Sequence, residues 1–190
     1  SFNEAVRMCF LVINNLKSIL KKSGYSTSVG DEGGFAPMIS DNESALKLIV
    51  QAIKKSGFKN GIDISICLDV AANELIKKGK YSIHSNSYIS VDKSIKKYLQ
   101  LIKKYKIKSI EDPFGENDWK AWSKFVKATN DNIQIVGDDL FVTNLERLKI
   151  GFLNLSGNSI LVKLNQIGTV TETLEVIKFA QLIGFKTIIS

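Results

Sequence analysis

Three carboxylates and a lysine stand at the ends of short apolar runs. Asp69 follows Ile62–Leu68, Glu111 follows Ile107–Ile110, Asp138 lies one glycine beyond Ile133–Val136, and Lys163 follows Ser159–Val162. Carboxylate oxygens suit a hard divalent cation such as Mg2+, which keeps coordination positions open for water or substrate. Beside such a cation the ammonium form of a lysine is disfavoured by charge repulsion, which moves it toward a working base. Plainer readings exist for the same residues. An acid at a strand end can cap a helix or sit in a solvated loop, and Lys163 can pair with Asp138 or Glu111 without any part in catalysis. The neighbouring acids Asp112 and Asp139 are expected to point away from the face that Glu111 and Asp138 share, because strand side chains alternate.

Spacing shows which elements must position these groups. The intervals from Asp69 to Glu111, Asp138 and Lys163 are 42, 27 and 25 residues, and a further run, Lys186–Ile189, begins 27 residues after the start of the fourth. A step of this size holds one strand, one helix and two loops, so the pattern predicts a parallel α/β sheet. Two closures compete. An open doubly wound sheet places one site at a switch point, usually beside a Gly-rich turn, and no strand here is followed by G-x-G-x-x-G. A barrel uses the carboxyl end of every strand, which is where the reactive residues lie. The expected fold is therefore a partial TIM-like α/β barrel. Five strands are legible, with room for one more, which is fewer than a full barrel needs. The last residue, Ser190, directly follows an apolar run. Residues 1–190 are thus expected to form one barrel domain that is incomplete at both ends.

Between the strands, helical periodicity marks Phe2–Lys22, ended by Gly24, and Asn42–Ser56, capped by Asp41 or Ser44, with Ala45, Leu48, Ile49, Ala52 and Ile53 on the face turned inward. Further helices are expected over Lys93–Tyr105, Asp118–Ala128, Asn144–Ile150 and Thr171–Ile183. The polar stretch Ala71–Asp92 reads as a hairpin around Gly79–Tyr81. The loop Ser26–Pro37 contains Gly30-Asp31-Glu32-Gly33-Gly34. Its glycines permit positive φ and close approach to a ligand, while its acids would repel a phosphate. The loop suits presentation of a carboxyl group to a substrate; a plain flexible turn is the alternative.

Composition narrows the class. The chain has 190 residues, 44% of them hydrophobic, with a mean hydropathy of +0.02, and no apolar window long enough for a membrane span. Its first residues carry charge within the apolar stretch and lack a cleavage pattern, so no signal peptide is expected. Cys9 and Cys67 are too few for a disulfide framework and are expected to be buried, reduced thiols of a cytosolic protein. The single histidine, His84, falls in a polar stretch, Ser82–Ser87, that reads as a loop, which excludes a multi-histidine metal site. Net charge is +7, but 24 of the 26 basic residues are lysines, the exceptions being Arg7 and Arg147. Specific nucleic-acid readout favours arginine forks, so nucleic acid is not an expected partner.

Five strings then match successive signatures of one family. Gly30–Pro37 (GDEGGFAP), Leu68–Ala71 (LDVA), Ser109–Phe114 (SIEDPF), Gly137–Asn144 (GDDLFVTN) and Leu161–Thr169 (LVKLNQIGT) resemble the enolases, as does the pattern of Asp118, Trp119 and Trp122. The resemblance spans essentially the whole chain, with lengths nearer to bacterial than to animal members. It implies an atypical TIM-like barrel, preceded in the family by a smaller α+β domain that is absent from this sequence. It also implies reversible dehydration of 2-phosphoglycerate to phosphoenolpyruvate in glycolysis, a cytoplasmic location with a secondary cell-surface pool as the alternative, and a homodimer or larger assembly. Carried over by motif, Asp69, Glu111 and Asp138 would bind Mg2+. Lys163 would take the C2 proton, and Lys163, Glu111 and Asp138 would contact substrate. Glu32 would act as general acid. The family's upstream glutamate and its downstream His-Arg-Ser and lysine elements are not in this sequence, so the 190-residue polypeptide alone is expected to have little activity.

Overall fold

The stripe of apolar residues at the start of the chain forms helix α1 (Phe2–Lys22), and helix α2 (Asn42–Lys55) packs on its second half. Ser1 caps α1 by accepting from the Glu4 N–H, and Asp41 caps α2 by accepting from the Ser44 N–H at 2.8 Å. Such caps satisfy donors that the first helical turn leaves free. Ile19 and Leu20 of α1 are buried, as are Leu46, Ala52 and Ile53 of α2. The Asn15 amide donates to the Ser56 hydroxyl at 2.9 Å. The shorter α2 does not cover the first half of α1, where Val6, Phe10 and Ile13 remain exposed.

This computed structural model describes every residue except Ser85, Asn86 and Asp131, and every side chain among them except those of Ile83 and His84. The chain forms two units, Ser1–Ile66 with Lys104–Lys106, and Cys67–Lys103 with Ile107–Ser190. No helix among the described residues is long and apolar enough to cross a membrane.

The second unit begins with strand β1 (Cys67–Asp69) and a short 3-10 turn, Ala72–Leu75. Strands β2 (Ile76–Lys77), β3 (Lys80–His84) and β4 (Ser87–Ile89) form an antiparallel three-stranded sheet. Helix α3 (Val91–Tyr105) leads to β5 (Ser109–Glu111), α4 (Trp119–Thr129) to β6 (Gln134–Gly137), and α5 (Leu145–Leu153) to β7 (Ser159–Val162). A one-turn helix α6 (Leu164–Ile167) and helix α7 (Val170–Leu182) precede β8 (Lys186–Ile189). The main sheet has the order β1-β5-β6-β7-β8, and all its pairs are parallel.

That order decides between the two closures. Each new strand joins the edge made by its predecessor, and the order never reverses, whereas a doubly wound sheet reverses at its switch point. The winding is that of a barrel, open across these five strands. The central strands are apolar on both faces, as expected of parallel strands with cover on each side. Ile110, Ile135, Val136, Ile160 and Val162 are fully buried, with Trp122 and Phe125 of α4, Leu148 of α5 and Ala180 of α7. Burying each large side chain contributes about 1.5–3 kcal/mol.

The antiparallel sheet clamps the loop after β5. Rings of Tyr81, Tyr98, Phe114 and Phe125 pack with centroids 5.2–5.8 Å apart. The Tyr81 hydroxyl accepts from the Gly115 N–H and donates to Asp118, each at 3.0 Å. The Trp122 indole N–H donates to the Gly115 carbonyl at 3.1 Å.

Three local expectations are corrected. The first strand covers Cys67–Asp69, not Ile62–Leu68. Asp63 accepts from the Lys59 N–H, and Gly61 donates to the Ile64 carbonyl at 2.7 Å, so a turn consumes the start of that apolar run. Residues 82–84 continue strand β3 rather than forming a loop, because they pair with β4; the middle of the expected loop, Ser85 and Asn86, lies outside the described residues. Cys9 and Cys67 are free, but both are exposed: Cys9 lies on the half of α1 that α2 leaves uncovered, and Cys67 on an edge strand.

Candidate active site

The four strand-end residues occupy successive positions along the carboxyl edge of the sheet. Asp69 ends β1 and Glu111 ends β5, and the two are register partners. Asp138 follows Gly137 at the end of β6, and Lys163 follows Val162 at the end of β7. The four residues thus share one rim, the geometry from which barrel sites are built, but the carboxylate oxygens of Asp69, Glu111 and Asp138 are not gathered within 4.8 Å of one another.

Lys163 and Asp138 form the tightest pair, with Nζ 2.5 Å from Oδ2. The other oxygen, Oδ1, accepts from the Gln166 side-chain amide at 2.7 Å. Asp138 is buried, Glu111 and Lys163 are half-buried, and Asp69 is exposed. The Asp69 carboxylate accepts from the Ala71 N–H at 3.0 Å.

The acids crowd one another. Burial, and then the charges of Asp69 and Asp138, push Glu111 from its ordinary 4.5 up to about 7. Although the residue is exposed overall, partial burial of its carboxylate raises Asp69, against the bond from Ala71. Lys163 is held above its ordinary value, first by its hydrogen bond to Asp138. This is opposite to the direction expected beside a divalent cation, because here only carboxylates surround it. The rim is a set of hard oxygen donors whose mutual repulsion one lysine does not cancel. That deficit of positive charge fits a divalent cation.

Asp112 and Asp139 do not point away from this rim. Oxygens of Asp112, Asp138 and Asp139 lie within 4.8 Å of one another, the one such group of three among the described residues. Strand alternation stops at Glu111 and Gly137, and Asp112 turns into the left-handed region with φ 39°. Its carboxylate then accepts from the backbone N–H groups of Asp138 at 3.0 Å and Asp139 at 2.8 Å. Burial pushes Asp112 up to about 6 despite those two bonds. With both oxygens committed, Asp112 braces the Asp138 backbone. Asp139 is engaged too, accepting from the Asn73 amide at 2.8 Å.

Glu32 belongs to the first unit, exposed at the tip of a tight hairpin. Val29 bridges Phe35, and Gly30 and Gly34 bond through N–H to carbonyl at 2.9 Å, with Gly33 at φ 79°. Phe35 and Pro37 line an apolar groove with Leu16, Leu20 and Leu48 of the two helices, which anchors the hairpin base.

Gln166 and Thr143 escaped the sequence reading. Gln166 lies three residues after Lys163, on one turn of helix α6, and that spacing could have revealed it. Thr143 left no comparable signal, since a reversal of the backbone at Val142 and Thr143 brings it in. A cavity of about 570 Å³ lies at the opposite ends of the strands, among Lys108, Gln134, Asn158 and Lys186, and none of the four rim residues lines it.

The family described as "Enolase, C-terminal TIM barrel domain" matches residues 1–190. The chain is also similar to the enolase of Pelagibacter ubique (strain HTCC1062), with 76% identity over 190 residues, all of this chain and 45% of that protein. It therefore spans about half the length of the curated relative it matches. Sequential parallel winding, acids and a lysine on the carboxyl rim, and a family match over the full length agree: this chain belongs to the enolase C-terminal TIM barrel domain family.

Proposed function

We propose that this chain supplies the metal and proton-abstraction side of an enolase, which reversibly dehydrates 2-phosphoglycerate to phosphoenolpyruvate. The observation that carries this reading is the rim itself. Asp69 and Glu111 are register partners on neighbouring strands, and Lys163 is paired with Asp138 further along the same edge. Asp69, Glu111 and Asp138 would hold Mg2+, which when bound would offset the charge that grows on the substrate carboxylate as the C2 proton leaves.

Lys163 is the base. Its half-buried ammonium must give up a proton before it can accept one from C2, and the Asp138 contact that holds the proton on must loosen first. Glu32, assigned from its motif alone, gives a proton to the departing 3-hydroxyl. The C3–O bond then breaks and water leaves, so the proton taken at C2 and the proton given at the hydroxyl balance. The same reading carries a homodimer or larger assembly and a cytoplasmic location for the whole enzyme.

The test uses a graft in which this chain replaces the matching stretch of the Pelagibacter ubique enolase. Formation of phosphoenolpyruvate from 2-phosphoglycerate with Mg2+ is expected, with loss on chelation. Lys163→Ala in the graft should abolish exchange of the C2 proton. Exchange at the wild-type rate would show that Lys163 is not the base, and a graft that folds but never turns over would remove the enolase reading.

A further inference from the structure

Asp138 and Lys163 are joined twice. The direct link is the ion pair at 2.5 Å. The second runs through two other side chains. The Lys163 backbone N–H donates to the Thr143 hydroxyl oxygen at 2.9 Å. Thr143 donates to Gln166 Oε1 at 3.0 Å, and Gln166 Nε2 donates to Asp138 Oδ1 at 2.7 Å. The four contacts close a ring.

The ring has one sense only. A backbone N–H can only donate, so the Thr143 oxygen accepts there and its single proton points to Gln166. The Gln166 carbonyl must therefore face Thr143, and its NH2 must face Asp138. Thr143 is fully buried, with φ 52°, and Val142 before it has φ 43°. Two successive β-branched residues in the left-handed region are strained, and such strain persists where the surroundings over-determine it, often at functional sites.

The consequence concerns Asp138. Gln166 occupies Oδ1, so Oδ2, which pairs with Lys163 here, is the oxygen a cation would take once that pair loosens, as the base role already requires. A carboxylate restricted to one oxygen suits the strict octahedral demand of Mg2+. Ca2+ takes more oxygens and accepts carboxylates through both. On the enolase reading above, we propose that Gln166, oriented by Thr143, is a positioning residue that restricts Asp138 to one ligating oxygen and so biases the site toward Mg2+ over Ca2+.

The experiment measures Mg2+ and Ca2+ dissociation constants by calorimetry on the full-length graft, without substrate. The wild type is compared with Gln166→Leu, Thr143→Val, Thr143→Ser and the Gln166→Leu/Thr143→Val double variant. Gln166 is half-buried, so Gln166→Leu should fold, and circular dichroism checks each protein. Gln166→Leu is expected to weaken Mg2+ about tenfold, the scale of losing a partner that orients a metal ligand. Ca2+ should weaken far less, so the Mg2+/Ca2+ preference falls several-fold. Thr143→Val should fall the same way, Thr143→Ser should restore the preference, and the double variant should match the worse single variant, because one ring is broken either way. A preference unchanged within twofold in Gln166→Leu overturns the proposal, as do additive losses in the double variant. Turnover by the wild-type graft with an unchanged preference would sink the positioning role alone. No turnover at all would remove the enolase reading beneath it.

Discussion

Glu111→Gln should make the metal-free protein more stable, and only above a defined pH. The Glu111 carboxyl is pushed from 4.5 to about 7 by burial and by the charges of Asp69 and Asp138. Below pH 4.5 it is protonated in both the folded and unfolded chain and contributes nothing. Between 4.5 and 7 the unfolded chain releases the proton while the folded chain keeps it, so the folded state loses stability as pH rises. Above about 7 the full penalty applies. A gap of about two and a half pH units corresponds to about 3 kcal/mol at 1.36 kcal/mol per unit. Solvent reaches the half-buried side chain, and screening reduces this to about 1–2 kcal/mol. Glutamine keeps the shape and cannot ionise, so it escapes the penalty. The assay is thermal unfolding of the graft and its Glu111→Gln variant in chelator at pH 4.5, 6 and 8. The two curves should coincide at the lowest pH and separate through the window, the variant melting higher at pH 8. With excess Mg2+ the order should reverse if Glu111 holds the cation as proposed, because the variant lacks that carboxylate. A variant that melts lower than wild type in chelator at pH 8 would refute the claim that the rim is short of positive charge. So would a gain already present at pH 4.5.

Other changes probe how the rim is held. Asp112→Asn should cost about 1–3 kcal/mol in urea unfolding, because an amide can accept only one of the two backbone N–H groups that Asp112 now serves; equal stability would show that the brace is not needed. Gly137→Ala places a Cβ 2.5 Å from the buried Phe141 ring, and overpacking should cost about 1–3 kcal/mol. The added methyl sits next to Asp138, so Mg2+ affinity should fall as well. Gly151→Ala meets the same ring from helix α5, and should destabilise the fold while leaving Mg2+ affinity close to wild type. If both alanine variants weaken Mg2+ equally, the effect comes through general loosening rather than through Asp138.

Most of the architecture could be read from spacing because parallel strands and their helices repeat at nearly constant length. Ser159–Val162 and Lys186–Ile189 have the bounds expected of them. Helix ends shift by up to three residues: α3 already begins at Val91 and α5 runs on to Leu153, while Asp118 and Asn144 cap the first turn rather than join it. The misses have separate local causes. Ile62–Ile66 is apolar, but Asp63 closes a turn on Lys59, and local side-chain bonding competes successfully with sheet pairing. The outward direction expected for Asp112 and Asp139 failed because alternation holds only while a strand continues, and both residues lie just beyond a strand end.

The same limit separates what a motif can name from what it cannot. Glu111 and Asp138 stand out because an acid after an apolar run is conspicuous in any parallel sheet. Their supports do not, because they depend on φ values that a string of letters does not display. Asp112 at φ 39° and Thr143 at φ 52° turn side chains toward a rim that regular geometry would deny them. Each reaches a backbone N–H next to or within a rim residue, Asp112 at Asp138 and Asp139, Thr143 at Lys163. Glu111 is raised first by burial and then by the charges of Asp69 and Asp138, and a set of like charges would spread without such ties. On the proposed reading, the strained residues are the cost of holding like charges on one rim where a cation could take them. This predicts that relieving the strain, for example with Thr143→Gly, lowers Mg2+ affinity even where thermal stability in chelator is unchanged. A glycine variant with wild-type Mg2+ affinity would show instead that the rim holds its shape without the Thr143 hydroxyl.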